Sequence, residues 1–359
     1  MSTLFSPARL GPIELQNRLV MAPMTRCRAT GNTPNDLMAR YYAQRATAGL
    51  IITEGTSSSA NGLGYPSIPG IFTTAQVEGW RAVTGAVHPE GAKIFLQIMH
   101  CGRISHPLNM PAGSRVLAPS TVAAAGEMFT AAGLQPFPVP EAMSEAEIAA
   151  TVAEHAEAAR NAVLAGFDGV ELHGANGYLL EQFIRPNTNL RNDRYGGSIE
   201  NRARFVLEVL EAVRAAIGRE RVGIRLSPYG VFNDMPPYDR MEEDYRWLAG
   251  QLDVAAPAYI HLVDHSSMWS PVVPESIKSA FRSSFRGTLI LSGGYDALRA
   301  ESDLAAGKCD LVAVGRPFLA NPDLVERWKT GAALNTPDME TFYTPGPKGY
   351  TDYPALGES

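Results

Sequence analysis

Three times along the chain a stretch of helical composition runs into a glycine and then into a short apolar run: Tyr41 to Ala48, Gly49, Leu50 to Thr53; Glu145 to Ala165, Gly166, Gly169 to Leu172; and Ala297 to Ala306, Gly307, Leu311 to Val314. A helix closed by a left-handed glycine and feeding a buried strand is the joint of a parallel sheet. Its repetition constrains the fold more than any other feature. Arg18 to Ala22, Lys93 to Ile98, Val222 to Leu226, Ala258 to Leu262 and Thr288 to Leu291 have the same character and bring the candidate strands to eight. Nearly continuous apolar runs of this length suit strands covered on both faces.

Helical patterns lie between the runs. Ser144 with Glu147 forms a capping box that opens a stretch with Ile148, Val152 and Ala159 on one face, and Val206, Val209, Leu210, Val213 and Ile217 make a second apolar stripe. The expectation is an α/β protein, a closed (β/α)8 TIM barrel, with an open doubly wound sheet as the alternative because strand count alone does not prove closure. A chain of 359 residues exceeds the ~250 of a plain barrel. The surplus falls in three places: a short hairpin within Arg9 to Val20, punctuated by Gly11 and Pro12; a long excursion after strand 3, Ala112 to Met143, rich in Ala, Gly and Pro; and the C-terminal tail. With no interdomain linker in view, residues 1–359 read as a single domain.

Composition narrows the function classes. A net charge of -6 and the lack of a basic run interleaved with aromatics argue against nucleic acid. No stretch approaches the ~18 apolar residues of a membrane span, and Met1 to Pro12 does not read as a secretory signal. Three cysteines, Cys27, Cys101 and Cys309, match neither a disulfide nor a metal framework, so the expected compartment is the reducing cytoplasm. His100, Cys101 and His106 lack a fourth ligand, and no metal site is expected.

Barrel active sites are built where the strands end. There the sequence places Pro23, Met24 and Thr25 after strand 1, Glu54 and Gly55 after strand 2, Gln97 at the end of strand 3 with His100 just beyond it, and His173, Asn176 and Tyr178 at and after the end of strand 4. Arg225 lies on strand 5, Gly293 and Gly294 after strand 7, and Gly315 and Arg316 after strand 8. The last two loops suit a phosphate, through close backbone N–H groups and a guanidinium. Gln97 offers a donor and an acceptor to an imide-like edge, and Arg225 can stabilise negative charge on a bound heterocycle; together they suit a flavin better than a sugar phosphate. His173 and Asn176 can polarise a carbonyl oxygen, with the Tyr178 phenol close by to deliver a proton. Lys93 and Lys308 stand at the N-terminal ends of their strands, away from the C-terminal rim, so a Schiff-base aldolase lacks its nucleophile. Other rivals are a sugar-phosphate isomerase and a flavin-binding protein without turnover.

Asn17 to Arg28 (NRLVMAPMTRCR), Phe95 to Arg103 (FLQIMHCGR), Gly166 to Phe205, Asp310 to Leu324 and Gly349 to Pro354 carry a resemblance to the Old Yellow Enzymes, FMN-dependent ene-reductases, over nearly the whole chain. The resemblance implies tightly bound, non-covalent FMN, reduced by NADPH or NADH in a ping-pong cycle that ends in reduction of a small-molecule activated alkene. It implies that Pro23, Met24, Thr25, Gly55, Gln97 and Arg225 contact the flavin ring and that Gly294, Tyr295, Gly315 and Arg316 form the phosphate end. His173 and Asn176 would grip the substrate's electron-withdrawing group, Tyr178 would be the proton donor, and Tyr65, Met99 and Tyr343 would line the pocket. Met99 stands where many relatives carry Trp, which implies a less bulky wall. Thr25, where another branch has Cys, implies the yeast-like branch. A nitroester or xenobiotic reductase on the same flavin is the alternative activity. Three scattered cysteines exclude the iron–sulfur cluster of related dienoyl-CoA reductases. The oligomeric state, monomer or homo-oligomer, is left open.

Overall fold

The computed structural model describes residues 2–358. Its strands are β1 (Leu19–Met21), β2 (Leu50–Ile52), β3 (Lys93–Met99), β4 (Gly169–Gly174), β5 (Val222–Leu226), β6 (Tyr259–Val263), β7 (Thr288–Ser292) and β8 (Leu311–Val314). Each pairs in parallel with the next, and β8 returns to β1 with Val312 opposite Leu19, which closes the barrel and rules out the open sheet. The helices that follow the strands are α1 (Asp36–Ala43), α2 (Thr74–Val87), α3 (Glu145–Leu164), α4 (Arg204–Ile217), α5 (Met241–Ala255), α6 (Glu275–Ser284), α7 (Ala297–Ala305) and α8 (Leu324–Thr330).

The period of two along each strand sorts the core into two parts. Ile94, Leu96, Ile98, Val170 and Leu172 face outward toward the surrounding helices, and the apolar stripe of α4, in which Val206, Val209, Leu210 and Val213 are buried and Ile217 is half-buried, packs over β4 and β5. Val20, Leu50, Ile52, Phe95, Tyr259, Ile290 and Leu311 face inward and pack on Leu10 and Leu15. Those two leucines belong to an antiparallel hairpin, Ala8–Leu10 with Ile13–Leu15, that plugs the N-terminal end of the barrel. Each fully buried aliphatic side chain of this plug contributes roughly 1.5–3 kcal/mol. The hairpin ends at Leu15, well before the Val20 limit read from the sequence. At the start of α3 both halves of the capping box form, Glu147 N to Ser144 Oγ at 3.2 Å and Ser144 N to Glu147 Oε2 at 2.8 Å.

The three αβ joints are not alike. Gly166 and Gly307 have φ of +91° and +69°, as a left-handed helix stop requires. Gly49 does not: α1 ends at Ala43, and the chain reaches Gly49 through a tight turn in which Arg45, Ala46 and Ala48 donate to carbonyls three residues back. The Arg45 guanidinium in this turn is held by the carbonyls of Phe318 and Leu319. Gly49 is needed for a different reason, since a Cβ there would lie 2.0 Å from the Asn17 carbonyl oxygen. Gly49→Ala must therefore move backbone and is expected to lose ~3 kcal/mol, at the upper end of overpacking costs. Gly307→Ala, with open space around it, is expected to lose only the ~1 kcal/mol of a left-handed alanine. Thermal unfolding of the two variants side by side checks the order.

The excursion after β3 is more structured than its composition suggested. Glu127–Thr130 pairs antiparallel with Gly133–Pro136, and Leu117–Ala118 pairs with Glu141–Ala142. Met128 points inward to join Met99, Tyr178, Cys27 and Leu63 in a cluster at the C-terminal mouth, so the excursion forms one wall of that mouth.

Candidate active site

The inward positions nearest the C-terminal mouth are polar: Gln97 on β3, Glu171 and His173 on β4, Arg225 on β5, His261 on β6 and Ser292 on β7. Parallel register puts Gln97 opposite Glu171, and Arg225 between His173 and His261. Gln97 Nε2 donates to Glu171 Oε1 at 2.8 Å, the other Glu171 oxygen meets His261 Nδ1 at 2.8 Å, and His261 Nε2 meets Ser292 Oγ at 3.0 Å. This belt floors the mouth.

Two polar atoms of these inward residues are buried without a partner among the described residues, Arg225 Nε and His173 Nδ1. Burial, with Arg225, His261 and His265 adding to it, pushes His173 well below the usual histidine range, so the ring is neutral at physiological pH. The same burial lowers Arg225, with Glu171 opposing.

The turn after β4 carries the other candidate groups. Asn176 has φ of +60°, a left-handed conformation that asparagine tolerates better than most residues. Its backbone N donates to Ser227 Oγ at 2.8 Å, its carbonyl accepts from Asn233 Nδ2 at 2.7 Å, and its Oδ1 lies 2.7 Å from His265 Nε2. Tyr178 is buried at the head of the short helix Leu179–Ile184, edge-on to His173 at 4.8 Å between ring centres. Its hydroxyl stands 3.1 Å from that of half-buried Tyr65. Burial, with Tyr65 adding to it, raises the Tyr178 phenol well above its usual value.

The first two loops meet the site from the opposite side. From Ile52 to Thr56 the chain takes four steps while its neighbour takes three from Phe95 to Ile98, a bulge in the strand edge. The bulge sets Gly55 against Met99, whose sulfur would lie 2.5 Å from any Cβ at that position. It also buries Glu54, which accepts from the Arg26 backbone at 3.3 Å and from the Tyr42 hydroxyl at 3.4 Å. Burial pushes this carboxyl up to about 7. The loop carrying Pro23, Met24 and Thr25 is thereby tied to the loop carrying Gly55. Met24 and Thr25 are half-buried, and the Met24 sulfur would lie 3.4 Å from a Cβ on Gly315, linking the first loop to the last.

After β7, Gly293 at φ +127° leaves no room for a side chain, because a Cβ would lie 1.9 Å from the Asp264 carbonyl oxygen. Gly294 follows at φ +62°, and exposed Arg316 opens the short helix Arg316–Ala320 behind Gly315. The hydroxyl of Tyr295 is committed elsewhere, donating to Asp303 Oδ2 at 2.9 Å. Tyr343 lies open, 66% exposed on the C-terminal segment. That segment is tied down by buried Arg26 and Arg28 through the carbonyls of Phe342, Gly349 and Lys348, with Thr344 also within reach of Arg28.

Glu171, His261, Ser292 and His265 belong to this arrangement and stood outside the sequence reading. The signal for two of them was there: Glu171 and His261 interrupt otherwise apolar strands, and Glu171 precedes His173 by the two residues that place both on one face.

Residues 3–335 match the model of the NADH:flavin oxidoreductase / NADH oxidase family. The chain is 44% identical to a probable flavin mononucleotide-dependent alkene reductase of Leishmania infantum, across 98% of this chain and 97% of that protein. It is also 44% identical to 12-oxophytodienoate reductase 1 of Oryza sativa subsp. japonica, across 99% and 93%. Among solved structures, morphinone reductase superposes with a TM-score of 0.95 at 46% identity, covering 99% of this chain and 96% of that one. With the fold, the extent of the match and the level of identity in agreement, the chain belongs to the NADH:flavin oxidoreductase / NADH oxidase family.

Proposed function

We propose that the protein is an FMN-dependent NAD(P)H ene-reductase that reduces activated C=C bonds of α,β-unsaturated carbonyl or nitro compounds. The observation that carries this reading is the grouping of neutral His173, Asn176 and Tyr178 on one turn beside the floor made by Gln97 and Arg225. The floor suits a flavin: the buried Arg225 Nε has no partner among the described residues, and Gly55 and Gly293 sit where a Cβ has no space. Pro23, Met24, Thr25, Gly55, Gln97 and Arg225 would hold the ring, and Gly294, Gly315 and Arg316 the phosphate, with Tyr295 contributing through its backbone or ring because its hydroxyl is engaged. When bound and reduced by NADH or NADPH, FMN would supply the hydride that the β-carbon of the alkene takes up.

The protein's own part is to bind, orient and protonate. His173 and Asn176 hold the carbonyl or nitro oxygen and stabilise the negative charge that grows there. Tyr178 delivers a proton to the α-carbon. Tyr65, Met99 and Tyr343 line the pocket, Tyr343 at its outer edge. The compartment we propose is the cytoplasm, in keeping with three buried, unpaired cysteines.

The purified protein is expected to be yellow, to release FMN on denaturation, and to oxidise NADH or NADPH in the presence of 2-cyclohexenone. A colourless protein that gains no flavin absorbance when FMN is added overturns the reading. Nitrite release from glycerol trinitrate, measured in parallel, tells a nitroester reductase on the same site from an ene-reductase.

A further inference from the structure

We infer that His265 is a positioning residue for Asn176: it fixes which end of the Asn176 amide faces the substrate. The inference rests on the reading of Asn176 as a substrate-binding residue. The two ends of an asparagine amide are nearly the same size, so a half-turn exchanges two donors for an acceptor at little steric cost. A site that grips a carbonyl or nitro oxygen works with one of these orientations only. With Nδ2 toward the substrate, Asn176 adds donors beside His173; with Oδ1 there, it sets one oxygen against another.

The backbone of Asn176 does not make this choice. Ser227 and Asn233 hold its N–H and C=O, but both bonds leave the terminal torsion of the side chain free. The remaining contact is His265 Nε2, 2.7 Å from Oδ1. A neutral imidazole carrying its proton on Nε2 donates to Oδ1 and leaves both Nδ2 hydrogens for the substrate. Burial, with Arg225 adding to it, pushes His265 down to about 3, which keeps the ring neutral.

The histidine is itself well fixed. It follows β6, one strand beyond β5, which lies between it and β4. Its carbonyl accepts from Met268 N at 2.8 Å, its ring is braced edge-on by Phe232 at 4.6 Å, and the preceding Asp264 is tied to Lys278 at 3.0 Å. A residue 89 positions away in sequence thus sets the polarity of the substrate site.

The test is a set of dissociation constants for 2-cyclohexenone, read from the perturbation of flavin absorbance in oxidised FMN holoenzyme with no nicotinamide present. Asn176→Ala is expected to weaken binding about 3- to 10-fold, the worth of one hydrogen bond to a neutral carbonyl. His265→Leu is expected to weaken it by a similar factor, and the double variant by no more than Asn176→Ala alone, since the two act through one group. His265→Gln, which still offers an N–H, is expected to stay within about 2-fold of the parent. His265→Glu, which when ionised only accepts, is expected to turn the amide around and bind at least as weakly as the Leu variant.

The Gln and Glu variants have the same shape, so a general loss of packing moves both alike; equal losses in the two overturn the inference. A loss in Asn176→Ala with none in His265→Leu overturns it while leaving the role of Asn176 intact. No loss in Asn176→Ala overturns the reading of Asn176 and the inference with it. Should the Leu variant fail to fold, the contrast between Gln and Glu decides.

Discussion

Tyr178→Phe is expected to slow the alkene half-reaction by ~10²- to 10⁴-fold, the usual worth of a positioned general acid, while leaving reduction of the flavin by nicotinamide within about 2-fold of the parent. The change removes one oxygen and keeps the ring that packs edge-on against His173, so the pocket wall survives. Only a step that consumes the phenolic proton feels the loss. Rapid-mixing absorbance at the flavin band separates the halves: anaerobic reduction by NADPH or NADH in one experiment, reoxidation by 2-cyclohexenone in the other. Equal losses in both halves would show that Tyr178 shapes the site without donating the proton.

The pH profile gives the same residue a second test. Burial and the neighbouring Tyr65 raise the Tyr178 phenol well above its usual value. A group whose value is raised stays protonated to higher pH, so proton delivery is expected to persist as pH rises through ~10, where an ordinary phenol would ionise. Tyr65→Phe serves as the control: it removes the partner 3.1 Å away and keeps the donor. Its loss in the alkene half-reaction should be much the smaller.

How far the sequence alone could reach is clearest at particular residues. Barrel strands were legible because a strand buried on both faces must be apolar nearly throughout, which leaves a local mark; β5 and β8 have the limits their apolar runs suggest. The hairpin at Glu127–Thr130 left a weaker mark, since its outward Phe129 is 63% exposed and blurs the alternation that would announce it. Gly49 looked like Gly166 and Gly307 because the sequence does not show that Asn17 lies against it. Within the site, residues at strand ends could be listed from the barrel hypothesis, yet their partners depend on register. That Glu171 spans Gln97 and His261 follows from the alignment of four strands, β3 to β6, and no local pattern carries it.

Glu181 shows the same dependence at larger energetic scale, and Glu181→Ala is expected to be the most damaging single substitution away from the reacting atoms. This carboxylate is fully buried and accepts five hydrogen bonds from four groups. Oε1 takes Arg185 Nε at 3.1 Å, Arg185 Nη2 at 2.8 Å and the Tyr245 hydroxyl at 3.1 Å; Oε2 takes Gly177 N at 2.8 Å and Ser227 Oγ at 3.0 Å. Removing it strands the equally buried Arg185 guanidinium, and breaking a buried pair from one side costs ~3–5 kcal/mol. It also frees Ser227, the acceptor for the Asn176 backbone, and the N–H of Gly177, so the turn that presents Asn176 and Tyr178 loses its anchor. Thermal unfolding of holoenzyme at matched FMN concentration should show the stability loss, and the KM for 2-cyclohexenone should rise in whatever fraction folds. Arg185→Met leaves the carboxylate buried and is expected to cost a comparable amount. Combining it with Glu181→Leu should recover much of the stability, because an apolar pair asks for no desolvation. The KM should not recover with it, since leucine offers Gly177 and Ser227 no acceptor; a double variant with both stability and KM restored would mean that the turn holds its shape without Glu181.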